Sequence, residues 1–238
     1  MARYALAEHV FVCLNGEHLV LLDVKADRYW ALEAAQTAGL GALVGGWPVK
    51  DRDAAASETP TPETAAAIEV LLGRGLLTDN VPPGKDATPV AATPPARELI
   101  TDSEHTARGR TGSWWSFFTA CAFAKIALRT WPFERVIRRV RQRKATLGPR
   151  AEPFDVERAR RLVEAFVHYR VFLFSSKNEC LYDSLALIEY LARNGIYADW
   201  VFGVQTRPFA AHCWVQHGDI VCNDTVEHVS GYTPIMVV

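Results

Sequence analysis

The stretch Val81–Pro95 holds five of the thirteen prolines in this 238-residue chain, with Gly, Thr and Ala filling the gaps. Proline locks φ and lacks an N–H, so such a stretch can form neither a helix interior nor a central strand and reads as an extended spacer. It separates two unlike halves. Residues 1–80 carry 6 Lys/Arg and 11 Asp/Glu, a net of −5, whereas residues 81–238 carry 20 and 16, a net of +4. We therefore expect two domains, 1–80 and 111–238, joined by a Pro-rich linker over 81–110. With 49% hydrophobic and 22% charged residues, the chain has material for a real core and does not suit global disorder. A total charge of −1 speaks against a basic nucleic-acid coat protein. No apolar run reaches the roughly 20 residues of a membrane span, and Glu8 and His9 interrupt Met1–Leu14 before a signal peptide can build. Five cysteines, odd in number and irregular in spacing, fit reduced thiols and a cytoplasmic location better than a disulfide framework.

In the first half, His9–Leu14 is a short β-rich run closed by Asn15-Gly16, a strong hairpin-turn dipeptide. His18–Leu22 is the expected return strand and Arg28–Leu32 a third strand. Glu33–Val44 reads as a helix ending in Gly45-Gly46. A second helix opens at Thr61, the expected N-cap, with Pro62 in its first turn and Ile68, Leu71 and Leu72 on its buried face. Three strands followed by helices make a winged-helix-like pattern, a shape often used on DNA. The charge of −5 argues against that use, because phosphate contacts need clustered Lys and Arg.

In the second half, Ser113–Leu128 reads as a buried aromatic helix, and Glu152–Arg170 as another, with Phe154, Leu162, Phe166 and Tyr169 in the core. Seven basic residues and no acidic one lie between Arg135 and Arg150, which reads as a solvated helix face. The chemistry lies after residue 175. An amphipathic helix carries Leu181, Leu185, Ile188 and Leu191 on one face, with Asn178 as candidate N-cap. Cys180 then falls in the first turn, where unpaired N–H groups and the helix dipole favour the thiolate.

Trp200–Gln205 and Ala211–Gln216 read as strands, and a tight turn returns through Ile220–Asp224. His212 and Cys213 are strand neighbours and are expected on opposite faces, unable to serve one site. That argues against zinc on His212, Cys213, His217 and Cys222, and no metal or cofactor is expected. A two-residue turn at His217-Gly218 would set Asn223 opposite His212; a three-residue loop, His217–Asp219, would set Asp224 there. Either side chain can hold the imidazole. Cysteine at a helix start, histidine on the next strand and an Asp or Asn beyond is the pattern of thiol acyl-transfer chemistry.

Three stretches, Cys180–Leu185, Pro208-Phe-Ala-Ala-His-Cys-Trp-Val215 and Asn223-Asp224, resemble the transglutaminase-like leader peptidases of lasso peptide biosynthesis. The resemblance implies an α+β, papain-like cysteine protease with Cys180, His212 and Asp224 as catalytic residues, and it selects the three-residue loop. Cys180 N–H and Asn178 are then the candidate oxyanion donors. The first 80 residues resemble the RiPP recognition element, a winged-helix-like module in which a leader peptide adds a strand beside the third strand and the last helix. That implies leader contacts from Arg28, Tyr29, Trp30, Ala31, Leu32, Ile68 and Leu72. The implied activity is hydrolysis of the leader–core bond of a precursor peptide. The expected partners are that precursor and an asparagine-synthetase-like cyclase, with no nucleic acid. The alternatives are an acyltransferase using the same three residues and a non-catalytic peptide-binding adaptor.

Overall fold

The computed structural model describes residues 4–49, 61–79, 84–99, 114–147, 154–170 and 180–238. The chain forms two compact units. One comprises Met1–Ala91 with Val204–Ala210 and Thr233–Met236; the other comprises Ala92–Gly203 with Ala211–Tyr232 and Val237–Val238.

In the first unit, β1 (Ala5–Leu6) leads into β2 (Val10–Asn15), β3 (His18–Asp23) and β4 (Arg28–Glu33). The last three form an antiparallel sheet in the order β2-β3-β4. Asn15 pairs with His18, so the hairpin turns on Gly16 and Glu17, with Gly16 taking the left-handed φ of 60° that the tight turn needs. Val10, Val12, Leu19 and Leu21 project from one face into a core closed by Leu40, Val44, Trp47, Ile68, Leu71 and Leu76. The helix expected over Glu33–Val44 is instead α1 (Ala34–Thr37) followed by a 3-10 turn, Ala38–Ala42. Gly39 and Gly41 weaken a helix there. A Cβ on Gly39 would collide with the Thr64 side chain, so glycine admits the close approach of the next helix. That helix, α2 (Pro62–Gly73), starts as expected: Thr61 is extended, its hydroxyl accepts from Thr64 N–H, and Pro62 follows. Such a cap is worth about 1 kcal/mol. A two-residue strand, β5 (Leu77–Thr78), pairs with β1.

In the second unit, β6 (Arg97–Glu98) comes from the stretch read as a spacer. Three long helices follow: α3 (Trp114–Thr130), α4 (Phe133–Leu147) and α5 (Val156–Arg170). Then come α6 (Cys180–Arg193), β7 (Asp199–Thr206), β8 (Phe209–His217), β9 (Ile220–Val221), α7 (Val226–Ser230) and β10 (Thr233–Val237), of which Val204–Thr206, Phe209–Ala210 and Thr233–Met236 are counted with the first unit. The sheet order is β10-β7-β8-β9-β6, with β6 running parallel to β9. Helix α3 lies along α6, where Phe117 packs edge-on against Phe166 and Tyr190, with centroids 5.3 and 6.3 Å apart. Its other side leaves Trp114, Trp115, Phe118 and Ile126 exposed. Phe154 lies ahead of α5 rather than within it, stacked flat on His217 at 3.7 Å. Along α4, Arg135, Arg138, Arg139 and Arg141 face solvent. Arg143 turns inward to the buried Glu189 at 2.7 Å, and Lys144 pairs with Asp199. No helix among the described residues is long and apolar enough to cross a membrane.

Gly203, on β7, has no room for a side chain. An added Cβ would lie 2.8 Å from Cβ of Tyr232 and 2.9 Å from the Trp214 ring. Both neighbours are anchored, Trp214 being 1% exposed, so the contact cannot be relieved by rotation. Gly203→Ala should therefore destabilise the protein by about 1–3 kcal/mol, the usual cost of overpacking a filled core. A denaturant midpoint unchanged from wild type would contradict that packing.

Candidate active site

Cys180 is the first residue of α6, a 14-residue helix. Its N–H has no acceptor within the helix, and the helix dipole points its positive end at the thiol. The helix start is anchored from below by Ser184, which is fully buried and donates to the Cys180 carbonyl at 2.5 Å. Ser184 Oγ accepts in turn from the indole of buried Trp200 at 2.8 Å and stands 3.3 Å from Cys213 Sγ. The candidate N-cap and oxyanion donor Asn178 lies outside the described residues.

The turn between β8 and β9 follows neither of the two registers expected from the sequence. Gln216 pairs with Val221 and His217 with Ile220, so the turn consists of Gly218 and Asp219. Gly218 adopts a φ of 56°, the left-handed conformation that sets where the reversal begins. In this register neither Asn223 nor Asp224 faces His212 across a ladder, and β9 ends at Val221. The chain then leaves the sheet, and Asp224 reaches His212 from outside it, Oδ2 lying 2.5 Å from Nε2. The Asp224 carboxylate is fixed from behind by Thr225 N–H at 2.8 Å. Asn223 serves the sheet instead. Its side-chain oxygen accepts from Val215 N–H at 2.8 Å, replacing the strand that stops short.

The expectation that Cys213 and His212 cannot serve one site is corrected. The Cys180 sulfur accepts from both the thiol and the backbone N–H of Cys213, and also from the His212 ring. Neighbouring residues thus both touch the sulfur. Cys213 is 3% exposed.

These contacts set the charges. The Cys180 thiol is pulled down to about 4, first by the Cys213 thiol and then by His212, against the cost of burial. Burial works against a charged His212, yet the hydrogen bonds to Asp224 and Cys180 raise it to about 9. Asp224, though its burial favours the neutral form, is held below the ordinary carboxylate range by hydrogen bonds from His212 and His228. Cys213 is driven well above the usual thiol range by the neighbouring Cys180 sulfur and by burial, so it remains a neutral donor. At neutral pH the resting pair is thiolate and imidazolium, with Nε2 on Asp224 and the other ring nitrogen, Nδ1, left for the sulfur.

Aromatic rings enclose the imidazole: Trp214 stacks at 5.9 Å and Tyr232 lies 5.2 Å away. His228, the third residue of α7, places Nδ1 2.9 and 3.0 Å from the two Asp224 oxygens. Among the described residues, the donor atoms of His212, Asp224 and His228, all within 4.8 Å of one another, are those that can hold a metal ion. In this structure both histidines hydrogen-bond to Asp224. Sequence reasoning missed Ser184, Trp200, Cys213 and His228. The available signal for His228 was its spacing, one helical turn after Asp224.

The residues implied to contact a leader are in the first unit. Strand β4 is an outer strand, and its far side pairs with no strand among the described residues. Arg28 and Ala31 are exposed there and Tyr29 is half-buried. Trp30, Leu32 and Leu72 are partly buried against the core, with the Arg74 guanidinium 3.9 Å above the Trp30 ring. Ile68, 7% exposed, belongs to the core itself.

Residues 122–237, a little under half of the chain, match the family model described as the transglutaminase-like superfamily, and they form a domain of that kind. No curated protein and no solved structure matches the chain.

Proposed function

We propose that this transglutaminase-like domain is a cysteine peptidase acting through Cys180, His212 and Asp224. We propose further that the whole chain is a leader peptidase of the lasso-peptide type, working in the cytoplasm with residues 1–80 as its leader-binding module. The observation that carries the reading is the continuous contact from a helix-start thiolate through an imidazolium to a fixed carboxylate. The Pro-Phe-Ala-Ala-His-Cys-Trp-Val motif supports the narrower identification, as does the open edge of β4, which suits an added peptide strand. The partners are then a leader–core precursor and an asparagine-synthetase-like cyclase that takes up the freed core.

The cycle follows from the resting charges. The Cys180 thiolate attacks the carbonyl carbon of the scissile bond, and the carbonyl oxygen takes up the negative charge beside Cys180 N–H. His212 already carries a proton, so it gives the Nδ1 proton to the leaving amine as the C–N bond breaks, leaving a thioester. Water then attacks the thioester while His212 takes its proton. The C–S bond breaks, and acid, thiolate and imidazolium are restored. An amine in place of water would give an amide instead, the acyltransferase outcome.

Mass analysis of a leader–core precursor incubated with this chain and the cyclase separates these outcomes. A leader ending in a free carboxylate supports hydrolysis, a new amide on the leader fragment supports acyl transfer, and an uncut precursor refutes both. The pH dependence tests the charges. Activity needs Cys180 deprotonated and His212 protonated, so kcat/KM should rise through about 4, where Cys180 ionises, and fall through about 9, where His212 loses its proton. A profile still climbing above pH 9 would mean that His212 starts neutral.

A further inference from the structure

We propose that His228 is a positioning residue for the Cys180–His212–Asp224 reaction, fixing the Asp224 carboxylate in the plane from which it can hold His212. The inference rests on the peptidase reading above and adds a fourth member to its site. Asp224 lies outside any strand, in the segment between β9 and α7, so no ladder sets its orientation. The carboxylate must therefore be held by side chains and by nearby backbone. One oxygen takes Thr225 N–H at 2.8 Å, and the other takes His212 Nε2 at 2.5 Å. His228 Nδ1 spans both oxygens, at 2.9 and 3.0 Å, and opposes rotation about the terminal bond of Asp224. Without it, the carboxylate is held only by Thr225 N–H on one oxygen and by His212 on the other.

The ring of His228 is itself held in place. The His228 backbone N–H donates to Thr225 Oγ1 at 3.2 Å in the cap that starts α7, and Tyr232 packs edge-on against the imidazole with centroids 5.5 Å apart. It lies 4.7 Å from the His212 ring, tilted by 48°, so it borders the reacting imidazole without bonding to it. Among the described residues, it contacts the titratable groups Asp224, His212 and Tyr232. The His228 side chain is about half exposed, at 50%. Burial alone therefore does not explain an imidazole aimed at the one carboxylate that serves His212.

The test uses the full chain and three substitutions. In His228→Asn, the side-chain amide nitrogen occupies the position of Nδ1 and can still donate to Asp224. In His228→Gln the amide lies one bond further out, and in His228→Ala no donor remains. We expect His228→Ala and His228→Gln to lower kcat by about 10–10²-fold with little change in KM, the scale on which loss of a reacting group's alignment acts. His228→Asn should stay within a few-fold of wild type. A readout independent of substrate is alkylation of Cys180 by iodoacetamide. Its acid limb should move up in pH in the Ala and Gln variants, because a poorly held imidazolium stabilises the thiolate less, and should stay in place in the Asn variant.

Equal losses in all three variants would show a merely structural role and overturn the proposal, as would a His228→Ala enzyme with wild-type kcat and alkylation profile. If wild-type Cys180 alkylates no faster at pH 6 than an ordinary thiol, the peptidase reading itself fails and this proposal falls with it. Fast wild-type alkylation with an acid limb that does not move in His228→Ala defeats the proposal alone.

Discussion

Cys180→Ala is expected to remove cleavage of a precursor peptide altogether, a loss on the order of 10⁴-fold or more, while the protein remains folded and still binds peptide. The reason is chemical: Cys180 supplies the thiolate that attacks a carbonyl carbon, and alanine leaves nothing there to form a thioester. The structural reason that folding survives lies in Ser184, which anchors the first turn through the Cys180 carbonyl rather than through its sulfur. Cys180→Ser is the sharper comparison. It keeps size and polarity, but a hydroxyl is not ionised by the contacts that pull the Cys180 thiol down to about 4. Precursor cleavage within a few-fold of wild type in Cys180→Ala would sink the thiol mechanism. Equal thermal midpoints with cleavage lost would support it.

Asp224→Ala should lower kcat/KM by about 10²–10⁴-fold, the range of a lost acid–base contribution. Its carboxylate raises His212 to the protonated form that hands a proton to the leaving amine, and it fixes Nε2 so that Nδ1 faces the sulfur. Asp224→Asn should keep part of the activity, since its amide oxygen still accepts from Nε2 but carries no charge. The neighbouring Asn223→Ala should behave in the opposite way. Its side chain bonds to Val215 N–H and not to His212, so its loss should cost stability of about 1–2 kcal/mol, one buried backbone donor left unpaired, and little chemistry. Measuring thermal midpoint and kcat for both variants gives a crossed pattern. If Asn223→Ala were the inactive one and Asp224→Ala the unstable one, the roles would be reversed.

What was legible in the sequence was local. The β2–β3 hairpin, the Thr61 cap with Pro62 behind it and the helix start at Cys180 all come from short-range signals: a turn dipeptide, a hydroxyl before a proline, a periodic apolar face. Where two signals competed, the longer-range one decided. Glu33–Val44 has helical spacing, but the need for α2 to approach Gly39 breaks it after four residues. The β8–β9 register failed for a different reason. Gly218 can stand at either position of a tight turn, and His217-Gly218, His217–Asp219 and Gly218-Asp219 all suit a reversal here; the positive φ falls on Gly218 as the first turn residue, and that single step moves every partner. For Cys213, alternation describes where Cβ atoms point along a strand; it does not describe a contact made partly through the strand's backbone N–H. His228 follows Asp224 by one helical turn, but the helix that gives this spacing meaning has only five residues and no apolar stripe to announce it.

The two-residue length of β9 sets sheet completeness against chemistry. Were pairing to continue past Val221 in the observed register, Asp224 would become the ladder partner of Cys213. Its backbone would then take the N–H that Cys180 now uses, and its carboxylate would be drawn away from His212. The better-formed sheet would be the inert one. Residues 222–224 are therefore a place where gains in β propensity select against turnover, and where an engineer ranking substitutions by stability alone would drift steadily toward a more robust protein that no longer works.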